Sequence, residues 1–322
     1  MGYATTQTQT QTRPESPGLP PLSPPGPVGR MSERGGPGVR VSFEVFPPKT
    51  PEMELSLWDC IQKLAPLAPT FVSVTYGAGG GTRERTHRIV KRVVDETGLD
   101  AAAHLTCVDA SRDEVDAVIR DYWDAGVRHI VALRGDPPGG IGEAYTPHPD
   151  GYANATELVT GIRAIAPFEV SVGCFPEKHP ESPSLDFDID VLKAKVDAGA
   201  TRAISQFFFE IDAFRRYVDK VRDAGITIPI VPGIMPVTNF SGLVRMAKGC
   251  GASIPAWLAK LFDGLDGDAE TRRLIACTVA AELCTRLEED GFSQFHFYTL
   301  NRPELIYALC RMLGVREPAL SA

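Results

Sequence analysis

The feature that most constrains this chain is a regular alternation of short β-branched runs with longer amphipathic segments, which begins near Val39. Such an alternation predicts strands followed by helices, and therefore a parallel sheet covered by helices. Eight strands are expected, over Arg40–Phe46, Thr70–Thr75, Ala101–Cys107, His129–Leu133, Glu169–Phe175, Ala203–Phe208, Ile228–Ile234 and Gln294–Tyr298. Eight strand–helix units in about 250 residues predict an α/β fold of the (β/α)8 TIM-barrel type.

Helical patterns fill the intervals between these runs, and a glycine follows each of the clearest ones. The helices are expected over Arg83–Thr97, Arg112–Ala125, Asp188–Ala198 and Asp212–Ala224, with Gly98, Gly126, Gly199 and Gly225 as the residues that end them. An open doubly wound sheet is the alternative fold. It is weakened because no G-x-G-x-x-G motif follows the first strand, and Gly79–Gly81 lacks that spacing.

The composition of the chain argues against several classes of function. Lysine and arginine number 33 against 41 aspartates and glutamates, which gives a net charge of −8, whereas nucleic-acid binding needs a basic surface. No apolar run approaches the ~20 residues of a membrane helix, and the N-terminus lacks a signal-peptide pattern. The seven cysteines are scattered without a C-x-x-C pair, so we expect reduced thiols in a cytoplasmic protein with neither nucleic-acid nor membrane partners.

Residues 1–39 differ from the rest of the chain, because Thr-Gln alternation gives way to a segment rich in proline and glycine. Such a segment buries too little apolar surface to offset its conformational entropy, so we predict a disordered tail there. A partner-binding polyproline tail is the minor alternative. The barrel is expected over residues 40–316 and a short C-terminal tail over 317–322. Met31 is a second candidate for the start of translation.

Polar side chains interrupt the predicted strands near their C-terminal ends, where barrel enzymes carry their chemistry. Glu44 lies in an otherwise apolar strand. Since a low-dielectric site favours the neutral form of a carboxyl group, Glu44 is a candidate general acid, with an ion pair to a lysine or arginine across the barrel as the alternative. Asp136 precedes two prolines, and is either a turn residue or a carboxylate that accepts hydrogen bonds from a heterocycle.

The histidines do not support a metal site. His104 and His179 have neither a second histidine at ligand spacing nor a cysteine cluster nearby, so each is either a hydrogen-bond donor to a ligand or an ordinary packed residue. Gly77–Gly81 could allow close approach of a ligand, which is weak evidence. Phe207–Phe209 are expected in the core rather than as an aromatic platform. These residues indicate proton transfer on a polar heterocycle but do not define the reaction.

Eight motifs in chain order resemble those of bacterial methylenetetrahydrofolate reductases, from about Val41 to about Val315. Among them are Val-Ser-Phe-Glu-Val-Phe-Pro-Pro-Lys-Thr, Ala-Leu-Arg-Gly-Asp-Pro-Pro, Phe-Pro-Glu-Lys-His-Pro-Glu and Phe-His-Phe-Tyr-Thr-Leu-Asn-Arg. The resemblance implies a flavin-dependent barrel that reduces 5,10-methylenetetrahydrofolate to 5-methyltetrahydrofolate for methionine synthesis. NADH or NADPH would first reduce FAD and leave, and the folate would then bind in its place.

The resemblance also implies residue roles. Glu44 matches the general acid that protonates a folate nitrogen, and Asp136 matches the carboxylate near the flavin and the pterin. Gln206 matches a contact to the substrate stacked on the flavin, and Arg302 a contact to the glutamyl carboxylate. The flavin site is then expected to include Thr75, Tyr76, Ala78, His104, Arg134, Gly135, Asp136, Ala155, Phe175, His179, Asp188, Lys195 and Tyr298.

Five positions depart from the bacterial pattern. Phe175 stands where tyrosine is common. Gly242 and Met246 stand where a glutamine and a phenylalanine are familiar, and these two differences affect the expected preference between NADH and NADPH. Val191 and Ala194 replace polar or basic residues on the helix expected to face the flavin phosphates, so FAD retention should be weaker.

Three further expectations follow from the resemblance. The loop over Pro137–Asn154 is longer than usual, and the chain should form a homo-dimer or homo-tetramer. Because no C-terminal extension like the eukaryotic regulatory domain follows the barrel, inhibition by S-adenosylmethionine is not expected. The alternatives are a related flavin barrel of the proline dehydrogenase type and a folate- or flavin-binding subunit without catalysis.

Overall fold

A computed structural model describes residues 38–76, 83–137 and 144–317 of the chain. The predicted N-terminal tail lies almost wholly outside the described residues, as do the glycine-rich residues 77–81, which include Ala78, and nearly all of the predicted C-terminal tail. Part of the long loop over Pro137–Asn154 lies outside them as well.

In the described part of the chain, nine short strands form one parallel sheet in the order β7-β6-β5-β4-β3-β2-β1-β9-β8. The strands are β1 (Arg40–Val45), β2 (Val72–Val74), β3 (Ala101–Thr106), β4 (His129–Leu133), β5 (Glu169–Cys174), β6 (Arg202–Ser205), β7 (Ile230–Val231), β8 (Gly233–Ile234) and β9 (Gln294–Tyr298). All of the strand pairings are parallel. The predicted barrel is therefore confirmed.

The expected seventh strand is split into β7 and β8 by Pro232, which has no backbone N–H to donate to a neighbouring strand. β7 pairs with β6 and β8 pairs with β9, so this broken strand brings the two ends of the sheet together. The carbonyl of Pro232 still accepts a hydrogen bond from the His296 N–H at 3.0 Å. Eight strands were expected, and the ninth arises from this break alone.

Ten α-helices cover the sheet in the described residues. They are α1 (Pro51–Leu64), α2 (Arg83–Thr97), α3 (Arg112–Asp124), α4 (Ala155–Ile165), α5 (Leu185–Asp197), α6 (Ile211–Asp223), α7 (Phe240–Cys250), α8 (Ala256–Phe262), α9 (Ala269–Glu289) and α10 (Pro303–Met312). The start of α5 is three residues earlier than expected, because the Ser184 hydroxyl accepts a hydrogen bond from the Phe187 N–H and caps the helix there. α3 begins with a reciprocal capping box between Ser111 and Glu114.

The barrel interior contains buried polar side chains as well as apolar ones. The ring of Phe71 contacts His129 at 4.5 Å, His296 at 5.8 Å and the Arg202 guanidinium at 5.2 Å. These partners come from three strands spaced around the barrel, so Phe71 lies on its axis. Apolar side chains from β3, β4 and β6 pack around it and close the middle of the barrel: Ala102, Val131 and Ile204.

The outer faces of the strands pack against the helices through buried apolar side chains. Phe43 and Val45 of β1 alternate with the inward-facing Ser42 and Glu44, as the two-residue period of a strand requires. Phe207–Phe209 are buried, which confirms the prediction that they belong to the core. All seven cysteines are free, and five of them are buried. No helix of the described residues is long and apolar enough to cross a membrane.

Candidate functional site

Glu44 lies near the C-terminal end of β1 with its side chain 12% exposed. Its Oε2 atom is 3.5 Å from Nε2 of His104 on β3 and 3.7 Å from Nε2 of His296 on β9. Sequence reasoning left open an ion pair to lysine or arginine, but in the described residues the groups that face this carboxyl are these two histidines. Glu44 is thus a half-enclosed carboxyl group with two imidazoles beside it and an edge open to a ligand.

Both imidazoles are buried and short of hydrogen bonds. Nε2 of His104 and Nε2 of His296 have no hydrogen-bond partner in the described part of the chain. Burial lowers the pKa of His104, Glu44 opposes that shift and the charge of His296 reinforces it, so His104 is neutral at neutral pH. Both ring nitrogens are buried and face the Glu44 carboxyl group, so Glu44, which is partly exposed, is the member of this cluster that a ligand can reach.

Sequence reasoning did not single out His296. The side chain is fully buried, and its Nδ1 lies 2.8 Å from the Ser42 hydroxyl, which sets the orientation of the ring. The sequence nevertheless contained a pattern that could have identified this residue. Gln294 and His296 alternate with Phe295 and Phe297 along β9, and this alternation indicates a polar inner face. Only the register between β1 and β9 brings it to Glu44.

Tyr298 and Gln206 meet at the same end of the barrel. The Tyr298 hydroxyl donates to the Ser205 carbonyl at 2.8 Å, and Gln206 follows directly. The prediction placed Gln206 within the sixth strand, but that strand ends at Ser205, and the Gln206 N–H donates to the Cys174 carbonyl. The Gln206 Oε1 accepts from the N–H of Phe207, which leaves its amide NH2 for a ligand.

Arg134, Gly135 and Asp136 follow β4 at the same barrel end. Gly135 has a φ of 88°, and a Cβ there would lie 2.5 Å from Val108, so the tight turn requires glycine. The Arg134 Nη1 donates to Glu181 at 2.6 Å, and its Nε donates to the Gly135 carbonyl at 3.2 Å. Asp136 is partly exposed beside them. Glu181 is a second residue that sequence reasoning missed.

The loop between β5 and α5 brings together His179, Asp188 and Lys195. The His179 N–H donates to Asp188 at 2.7 Å, and its ring packs edge-on against Phe175 at 4.7 Å. The Lys195 Nζ donates to the Gly173 carbonyl at 3.2 Å. Burial lowers the pKa of Lys195, and the positive charge of Arg134 also lowers it, whereas Cys174 and the carboxylate of Asp188 raise it. Because the net shift is downward, Asp188 does not fully offset the burial of this ammonium group, and an anionic ligand would stabilise its charged form further.

The remaining predicted residues in the described part of the chain are Thr75, Tyr76, Ala155 and Arg302. Thr75 and the buried Tyr76 follow β2, and Ala155 begins α4. Arg302 is exposed, donates to Thr238 at 3.3 Å and lines a shallow surface depression together with Tyr298. The positions that depart from the bacterial pattern are accessible: Val191 and Gly242 are partly exposed, and Ala194 and Met246 are exposed.

The polar groups therefore form two clusters at one end of the barrel. The first, around Glu44, joins β1, β3 and β9 and can exchange a proton with a ligand. The second, around Arg134, His179 and Lys195, joins β4, β5 and α5 and can bind an anion. Among residues 38–76, 83–137 and 144–317, no three His, Cys, Asp or Glu side chains are grouped to hold a metal ion.

Comparison with known proteins supplies the family context of this arrangement. The family model described as methylenetetrahydrofolate reductase matches residues 33–314. The 5,10-methylenetetrahydrofolate reductase of Escherichia coli (strain K12) is 52% identical over 278 residues, which cover 86% of this chain and 92% of that protein. The protein of Salmonella typhimurium with the same name is 50% identical over the same length.

More distant similarities agree in fold. Methylenetetrahydrofolate reductase (NADH) 1 of Zea mays is 33% identical over 302 residues, which cover 90% of this chain and 51% of that protein. A solved Clostridium thermocellum protein, described as binding two copies of 5-methyl-5,6,7,8-tetrahydrofolic acid, has a TM-score of 0.58 at 12% identity. The similarity covers 86% of this chain and 94% of the Clostridium thermocellum chain. At that identity it supports the barrel fold alone.

Proposed function

Because the chain belongs to the methylenetetrahydrofolate reductase family, we propose that it reduces 5,10-methylenetetrahydrofolate to 5-methyltetrahydrofolate with NADH or NADPH, by ping-pong transfer through bound FAD. The protein is an oxidoreductase of folate metabolism. The observation that carries the proposal is the Glu44 carboxyl held between His104 and His296 at the barrel end where the other matched residues gather.

The residues present fit a flavin dinucleotide. Lys195 has its pKa lowered by burial and donates to one described carbonyl, Gly173, so a phosphate group would stabilise its charged form. Arg134 and the His179 ring lie in the same cluster. We propose that these three residues hold the cofactor phosphates, with Thr75, Tyr76, Ala78, His104, Gly135, Asp136, Ala155, Phe175, Asp188 and Tyr298 completing the site. FAD, when bound, accepts hydride from the nicotinamide and delivers it to the folate.

Glu44 supplies the proton. Protonation of a folate nitrogen opens the five-membered ring of 5,10-methylenetetrahydrofolate to an iminium cation, whose methylene carbon is then a hydride acceptor. The two imidazoles beside the carboxyl group limit its rotation and exclude water from its enclosed side. Asp136 accepts hydrogen bonds from the amino and N–H edge of the pterin, and its negative charge would help to tune a bound flavin for hydride donation.

The ends of the substrates are bound by separate residues. The free amide of Gln206 contacts whichever substrate occupies the shared position, and Arg302 pairs with the glutamyl carboxylate of the folate. Val191 and Ala194 offer no charge to the cofactor phosphates, so we propose that FAD dissociates readily. Met246, 43% exposed, offers a flexible apolar contact to the nicotinamide. We also propose a cytoplasmic homo-dimer or homo-tetramer.

The test is spectroscopic. The purified protein, supplemented with FAD, should show flavin absorbance that NADH or NADPH bleaches and that 5,10-methylenetetrahydrofolate restores, with formation of 5-methyltetrahydrofolate. Reoxidation by an amino-acid imine instead of the folate would favour the proline dehydrogenase alternative. Binding of folate and flavin with no turnover by either nicotinamide would favour the non-catalytic alternative.

A further inference from the structure

The loop before α4 contains one residue that the family assignment does not explain. Tyr145 is partly buried, whereas Ala144, Thr146 and Pro147 around it are exposed. The Arg134 guanidinium lies over its ring, with the guanidinium carbon 4.4 Å from the ring centroid. The Tyr145 hydroxyl lies 3.8 Å from the Cys107 sulfur. The side chain thus turns inward from an exposed segment and packs on an arginine of the proposed phosphate cluster.

The segment that carries Tyr145 is anchored to the barrel. The Tyr152 hydroxyl donates to Asp116 at 2.7 Å, and a Cβ on Gly161 would lie 2.1 Å from that hydroxyl, so Tyr152 is tightly packed. The Arg112 N–H donates to the Asp150 carbonyl at 2.9 Å, and its Nε donates to the Gly151 carbonyl at 3.2 Å. Tyr145 is therefore presented from a segment fixed at its C-terminal end.

Arg134 is restrained on three sides. Tyr145 covers one face of the guanidinium plane, Glu181 accepts from Nη1 at 2.6 Å, and the Gly135 carbonyl accepts from Nε at 3.2 Å. Nη2 has no acceptor among the described residues. An arginine held in this way presents one defined N–H edge, and such preorganisation reduces the entropy that a ligand must remove on binding.

We propose that Tyr145 is a positioning residue for Arg134 that strengthens binding of the cofactor's phosphate groups. The proposal rests on the flavin-dependent function proposed above. Because Val191 and Ala194 lack charged contacts to those phosphates, a larger share of the binding depends on Arg134. The tyrosine ring stabilises the guanidinium through a cation–π contact in the orientation that Glu181 also favours.

The test is the dissociation constant of FAD from the apoprotein, measured by quenching of flavin fluorescence. Tyr145→Leu removes the ring and should weaken FAD binding about fivefold, the size of a partly exposed cation–π contact. Tyr145→Phe keeps the ring and loses only the hydroxyl, so it should bind FAD like the wild type. Thermal unfolding of both apoproteins at the wild-type temperature would show that the fold is intact.

A double-mutant cycle with Arg134→Gln separates action through Arg134 from an independent contact. In the Arg134→Gln background, the change Tyr145→Leu should alter FAD affinity less than about twofold, because the residue it positions is gone. Unchanged affinity in Tyr145→Leu, or equal losses in Leu and Phe variants, would overturn the role of Tyr145. A wild-type apoprotein that binds no FAD would instead reject the proposed flavin-dependent function, and the role of Tyr145 with it.

Discussion

At the scale of single residues, the neighbours of Glu44 determine how its carboxyl group is exposed. The carboxyl group is 12% exposed and has imidazole nitrogens at 3.5 and 3.7 Å as its neighbours. Neither imidazole is free to swing away, because Ser42 holds His296 and burial encloses His104. In the proposed mechanism, Glu44 would therefore offer the exposed 12% of its side chain to the folate.

Glu44→Gln should separate the two half-reactions. The variant keeps the shape of the side chain but has no acidic proton, so the folate half-reaction should slow by about 10²–10⁴-fold, the usual effect of removing a general acid. Oxidation of NADH with a quinone acceptor needs no such proton and should persist. Glu289→Gln, an exposed glutamate at the end of α9, is the matched control and should leave both rates unchanged. Equal losses in both half-reactions would identify Glu44 as a structural residue.

His129 makes stability depend on pH. It is buried at the start of β4, with Nε2 2.8 Å from the Ser171 hydroxyl. Burial, reinforced by the charge of Arg202, lowers the pKa of His129 to about 3. An unfolded chain binds a proton at this histidine below about pH 6.5, whereas the folded chain does not. This histidine therefore stabilises the fold fully above that pH and less as the pH falls toward 3.

His129→Gln should weaken that dependence, because glutamine can bond to Ser171 and does not titrate. Urea unfolding of the wild type should lose up to about 1.4 kcal/mol of unfolding free energy per pH unit between pH 6 and pH 4 from this residue alone. In the variant, the loss of unfolding free energy per pH unit should be smaller by that amount. Parallel curves for the two proteins would show that His129 is protonated in the folded state.

At the level of secondary-structure elements, closure of the barrel at the broken seventh strand requires a glycine at position 233. A Cβ on Gly233 would lie 2.2 Å from the Ser205 carbonyl oxygen and 2.7 Å from the Tyr298 ring. The same Ser205 carbonyl accepts from the Tyr298 hydroxyl, and the Ser205 hydroxyl accepts from the Gly233 N–H at 2.9 Å. β6, β8 and β9 can approach this closely only because position 233 has no side chain.

Gly233→Ala should therefore destabilise the protein by about 1–3 kcal/mol, the range for overpacking a close-packed interior. Gly267→Ala is the matched control, because a Cβ there meets nothing within 4 Å and should change the free energy of unfolding by less than about 0.5 kcal/mol. Both values come from urea denaturation. A Gly233→Ala protein as stable as the control would mean that the strands can separate at no cost.

At the level of the whole molecule, the two polar clusters lie on elements far apart in sequence, and a bound dinucleotide would bridge them. Removal of FAD should therefore lower the thermal stability of the whole barrel. At a FAD concentration 100 times its dissociation constant, linkage predicts about 2.7 kcal/mol of stabilisation. Thermal unfolding with and without added FAD measures this shift, and riboflavin, which lacks the phosphates, should give a smaller one. Equal shifts with FAD and riboflavin would show that the phosphate cluster contributes nothing.

By itself, the sequence determined the strand–helix alternation and the barrel class, because both follow from the periodicity of apolar residues along the chain. It also marked Glu44 and Asp136, since a carboxyl group at the end of an apolar strand stands out locally. Only the tertiary structure decided that His296 lies against Glu44, that Glu181 and Tyr145 restrain Arg134, and that the seventh strand breaks at Pro232 while closing the ring. Those contacts depend on strand register and barrel closure, which join residues up to 252 positions apart and leave no periodic trace in the chain.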